Sequence, residues 1–140
     1  MDLETVATDR GEAYVAQMNR LVSSAEYLAE NMGKAPVMIL PCIRGWVETA
    51  GQMAQASRFG SILPAAWSLM LALRARGLGA AWTTLHLRYS DEVAAILGNP
   101  ADITQAALLL VAYSTGADFK PARRVPASEI TWWESWGERG

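Results

Sequence analysis

The chain has 140 residues and a mass of 15.2 kDa, enough for one domain with a core and too little for two ordinary ones. A formal charge of −2 argues against a nucleic-acid partner held by neutralised phosphates, and a single histidine excludes a metal site built on two imidazoles. A hydrophobic share of 51%, with only 19% charged residues and six tryptophans, leaves surplus apolar surface and points to an oligomer.

Residues 1–12 are acidic and polar, with no apolar core of a secretory signal. From Glu12 to Met32 the residues Tyr14, Met18, Leu21, Val22, Ala25, Leu28, Ala29 and Met32 recur at three- and four-residue steps, which predicts an amphipathic helix stopped by Gly33. Ala35 to Cys42 is short, apolar and bracketed by Pro36 and Pro41, so it reads as a strand buried on both faces. Cys42, the only cysteine, has no intramolecular partner and reads as a buried structural thiol suited to a reducing cytoplasm. Arg44 to Gly60 reads as a loop and a short helix.

The chain is organised around the stretch from Ser61 to His86. Ser61 is placed to cap a long apolar helix, with Pro64 in the first turn, where its missing N–H costs nothing. Residues 65–75 are apolar or small on nearly every face, and such a helix belongs in a core or an interface. Gly77 and Gly79 end it, and a strand follows from Ala81 to His86. Arg74 and Arg76 interrupt the longest apolar run before it reaches the roughly 18 residues of a membrane span, so a soluble protein is expected. Ser90 caps a further helix over 91–97, with Asp91 and Glu92 at the positive end of its dipole. Thr104 to Tyr113 gives a third strand. The tail, residues 118–140, is extended and charged, then aromatic at Trp132, Trp133 and Trp136, an arm suited to burying rings on a partner subunit.

In order and spacing, Leu71-Ala72-Leu73, Arg76-Gly77-Leu78-Gly79, Trp82-Thr83-Thr84, Leu97-Gly98 with Pro100, and the tail from Phe119 to Pro126 resemble the flavin-dependent nitroreductase family. The resemblance covers roughly Ser24 to Trp136. The family's N-terminal flavin-binding portion, with its Arg-rich phosphate-binding turn, finds no match, which makes residues 1–140 a single shortened domain. The chain departs from close relatives at Trp46, Asn99 and Leu110.

The resemblance implies an α+β fold, with a mixed sheet packed against the long central helix and completed in a homodimer. It also implies FMN as cofactor, NAD(P)H as reductant and a nitroaromatic or quinone-like acceptor, with no nucleic acid and no membrane involved. Carried over residue by residue, Arg123 and Arg124 fall where the family grips the flavin phosphate. Thr83, Thr84 and Leu85 fall where backbone N–H groups meet the flavin edge, and Ser61 lies where a hydroxyl or free N–H reaches a flavin bound across the dimer. Read without the resemblance, Arg123 and Arg124 make a solvated basic turn, residues 83–85 belong to an ordinary strand, and Ser61 is a cap. No catalytic side chain and no metal ligand is assigned. The alternative is a flavin-free shortened or engineered scaffold whose dimer cleft binds small aromatic ligands, with Trp46, Trp67 or Trp82 as walls and His86 or Glu48 as base.

Overall fold

The computed structural model describes residues 12–47, 49–116 and 124–138. In chain order the elements are α1 (Glu12–Asn31), β1 (Val37–Ile39), β2 (Cys42–Arg44), α2 (Gln52–Arg74), β3 (Leu78–Thr83), α3 (Ser90–Leu97), β4 (Ile103–Gln105) and β5 (Leu108–Tyr113). Short 3-10 turns cover Met32–Lys34, Leu85–Tyr89 and Ala127–Glu129. The α+β class holds, and every strand pairing among the described residues is antiparallel: one sheet has the order β1-β5-β3, and a second joins β2 to β4.

Both long apolar segments break where a single strand was expected. Pro41 has no N–H and a fixed φ, so no ladder runs through it, and the first segment divides into β1 and β2. It is also only partly covered, with Val37 and Met38 about half exposed, so it is not the strand buried on both faces. Its partner segment divides into β4 and β5. Between the pairs Ile39↔Leu109 and Cys42↔Gln105, the β4–β5 side carries one residue more than the β1–β2 side. This bulge falls at the buried Ala106 and Ala107, and Ala106 N–H donates to Pro41 O at 2.9 Å across it. The doubly covered strand is β5, where Leu108, Leu109, Leu110 and Val111 are all buried.

The central helix is longer than expected and starts elsewhere. It begins at Gln52, after Gly51, with no side-chain cap, because Met53, Ala54, Gln55 and Ala56 propagate it without a break into the Ser61 segment. Ser61 is therefore an exposed residue inside α2, and Pro64 is interior as well. Pro64 leaves the Gly60 carbonyl without its helical donor, but both residues are exposed and water serves that oxygen. Gly77, at φ +78°, stops the chain before β3, as expected. Counted from Gln52, α2 reaches the length and apolar content of a membrane-crossing helix, which corrects the expectation that no segment does.

α2 packs on β3 and β2, yet within one chain it is not a core helix. Ala66 is its one buried residue, while Met53, Trp67 and Leu71 are all more than half exposed. Of the two places such a helix can occupy, the single chain offers neither a core nor a cover.

The loop before α2 is pinned by polar contacts. Gly45 N–H donates to Asp102 O at 2.6 Å, Thr104 Oγ1 donates to Gly45 O at 2.7 Å, and Arg58 Nη1 donates to Trp46 O. Gly45 sits at φ +101°, and a Cβ there would lie 2.9 Å from the Arg58 guanidinium. Gly45→Ala is expected to destabilise the chain by about 1–3 kcal/mol, mostly through backbone strain, read as a lower urea midpoint at an unchanged slope.

Candidate functional site

β3 ends at Thr83, a buried residue opposite Leu108 on the central strand. The chain then turns into the Leu85–Tyr89 3-10 helix, so Thr84, Leu85 and His86 lie beyond the strand and not inside it. Leu85 N–H donates to Thr83 Oγ1 at 3.3 Å, which holds the turn. Here Trp82, Thr83, Thr84 and Leu85 face Ser24, Ala25 and Leu28 of α1 across an open cavity of about 330 Å³. Three of these walls are large and apolar, and the volume lies within the range of about 300–1,000 Å³ usual for small-molecule sites.

The structure brings Thr83, Thr84 and Leu85 together at one cavity. It does not bring Ser61 to a helix N-terminus: its N–H lies within the helical ladder of α2 and is not a free donor, while its hydroxyl stands on an exposed position of that helix. Arg124 is described and exposed, while Arg123 lies outside the described residues, as does Glu48. Of the tryptophans weighed as pocket walls, Trp82 lines this cavity, Trp46 lines a larger one elsewhere, and Trp67 is 58% exposed on α2. The contribution of α1 was only half legible. Ala25 and Leu28 belong to its apolar stripe, but nothing in the pattern says what that stripe faces.

His86 is buried directly behind this turn, and neither ring nitrogen has a hydrogen-bond partner. Burial without a partner disfavours the charged ring and pulls its pKa below the ordinary 6.5. The unfolded chain therefore binds the proton more readily. The stability that the neutral ring contributes is fully present above about pH 6.5 and is lost as pH falls below it. His86→Leu is expected to flatten the fall of the thermal midpoint between pH 7 and 5; an unchanged slope in that variant would rule His86 out as its source. Cys42 is partly buried, not fully as expected. Burial raises its pKa, and Sγ donates to Leu40 O at 3.4 Å.

These elements define an α+β protein with a short central antiparallel sheet, in which a flanking strand ends at an apolar slot. The sequence profile of the nitroreductase family matches residues 2–130, and the chain belongs to that family. The match reaches well before Ser24, where the resemblance read from motifs began. Among solved structures, the nitroreductase-like family protein from Bacillus cereus aligns with a TM-score of 0.58 at 18% identity, over 95% of this chain and 66% of that one. At that identity the likeness is one of fold, and the chain spans a little under two thirds of that protein's length. No curated protein matches the chain.

Proposed function

We propose that the chain is a homodimeric FMN-dependent oxidoreductase, reduced by NAD(P)H and passing electrons to a nitroaromatic or quinone-like acceptor in a reducing, cytoplasmic setting. The observation that supports it best is the slot at the end of β3, where the three positions carried over from the family stand against the apolar walls of Trp82, Ala25 and Leu28. A flavin ring needs an apolar slab and donors at one edge, and the walls of this slot support the slab. Thr83, Thr84 and Leu85 would present the edge, with Leu85 N–H exchanging its bond to Thr83 Oγ1 for one to the ring, and Arg124, with Arg123, would hold the phosphate as planar donors suited to it. Bound FMN supplies hydride acceptance and electron transfer; the chain supplies position, an apolar setting and exclusion of water.

The exposed apolar side of α2 supports the dimer in this reading, because a second copy is what gives Trp67 and Leu71 a cover. The C-terminal arm supports it in the same way. Trp132 stacks on Trp136 with ring centroids 4.3 Å apart, and Trp133 and Trp136 remain exposed for a partner surface. The test is to mix the purified protein with FMN, desalt it and record its visible spectrum, then add NADH or NADPH without oxygen. One flavin retained per chain and bleached by the nicotinamide is the expected result. Protein that stays colourless after FMN is added removes the flavin reading and leaves the flavin-free scaffold.

A further inference from the structure

We propose that the cavity between the first turns of α2, α3 and β4 is a second ligand site, and that it takes a small flat aromatic molecule carrying an amide or lactam edge. Its volume is about 460 Å³, larger than the slot at the end of β3, and the two share no lining residue. It is therefore a separate site and does not depend on flavin.

Trp46 and Phe59 supply aromatic walls, and the small Ala94 of α3 lines the same cavity. The backbone that carries the Trp46 wall is held in place before any ligand arrives. Arg58 of α2 ties the Trp46 carbonyl, and Gly45 is fixed at both its N–H and its carbonyl. A preformed aromatic cavity loses little ordering entropy when a flat ring enters.

The polar chemistry of the wall selects the edge of that ring. Gln105 is buried at 7% exposure and stands directly before the bulge at Ala106 and Ala107. Its Nε2 donates to Ser90 O at 2.8 Å, which fixes the amide orientation and leaves Oε1 as an acceptor with no partner. Asn99, at the turn after α3, carries the complementary group, an Nδ2 donor with no partner. Both atoms are shut off from bulk water, and buried polar groups left unmet are costly. The terminal torsion of asparagine is broad, so its amide turns toward a ligand at little cost. Both residues line the cavity, and once their side chains turn to face it, one acceptor and one donor match an N–H beside a C=O, the edge of a carboxamide or a lactam.

The test uses the full chain labelled with 15N and titrated with benzamide, with toluene as the control that has the ring but no amide. Saturable shifts are expected at the Asn99 and Gln105 side-chain amides and the Trp46 indole, with the backbone amides of Thr83 to Leu85 unmoved. Toluene is expected to bind at least about tenfold more weakly, as are the Gln105→Leu and Asn99→Ala variants toward benzamide. Ala94→Trp, which fills the cavity, is expected to abolish binding. Asn99 is at a half-buried turn, so Asn99→Ala remains informative if a buried substitution fails to fold. Absence of saturable shifts, toluene binding as tightly as benzamide, or shifts centred on Thr83 to Leu85 would each overturn the proposal.

Discussion

Leu109→Ala is expected to lower the unfolding free energy by about 3–5 kcal/mol, the largest effect of any single apolar truncation among the described residues. Leu109 has no exposed surface and sits on β5, between Ile39 on one side and Trp82 on the other. Strands bonded on both sides cannot slide inward to close a hole, so the cost is the lost transfer energy plus most of a cavity. Against a total stability of about 5–15 kcal/mol, that loss removes about a fifth of it or more. Urea unfolding followed by circular dichroism reads it. Tyr113→Ala serves as control, since Tyr113 is on the same strand but 82% exposed, and a change within about 0.5 kcal/mol is expected there. A Leu109→Ala cost below about 1 kcal/mol would show that β5 is not the spine of the fold.

The second large effect is expected on assembly. Trp67 and Leu71 lie one helical turn apart on the same face of α2, and both are more than half exposed in the single chain. A tryptophan at the centre of an interface commonly costs 2 kcal/mol or more when truncated, and a neighbouring leucine adds to it. Trp67→Ala combined with Leu71→Ala is thus expected to weaken self-association by about 3 kcal/mol or more, on the order of a hundredfold. The monomer's own stability should barely move, because neither side chain is buried in it. Mass photometry across a dilution series gives the association constant, and urea unfolding at low concentration gives the monomer's stability. An unchanged association constant would remove this face from any interface.

The sequence made some of this legible and hid the rest for identifiable reasons. The run from Leu108 to Val111 is apolar without a break, and it did become the covered central strand. The stop at Gly77 was readable because a left-handed residue there has few alternatives to glycine. The start of α2 was misread because a serine followed by a proline three residues on is a good helix-entry signal, and the same pair can stand inside a helix when the exposed backbone is solvated. Pro41 was taken as the edge of one strand when it is the hinge between two, since a short apolar run does not reveal that its partner carries a bulge.

Of the candidate site, Thr83, Thr84 and Leu85 were named from the resemblance and do gather at one cavity, while their contact with α1 was invisible to a pattern confined to neighbouring residues. Ser61 was named for a helix end that the fold places nine residues earlier, at Gln52. Gln105 and Asn99 gave no signal at all. Their unmet hydrogen bonds exist only once β4 and the turn after α3 are brought together.

The central claim is that α2 and the end of β3 form one side of a cleft completed by a second copy and filled by flavin. Sedimentation velocity of the protein mixed with FMN, recorded in the flavin's visible band, tests it most directly. A flavin-carrying boundary at twice the chain mass of 15.2 kDa is the expected result. A boundary at the mass of one chain, with all the flavin left unsedimented, would contradict it.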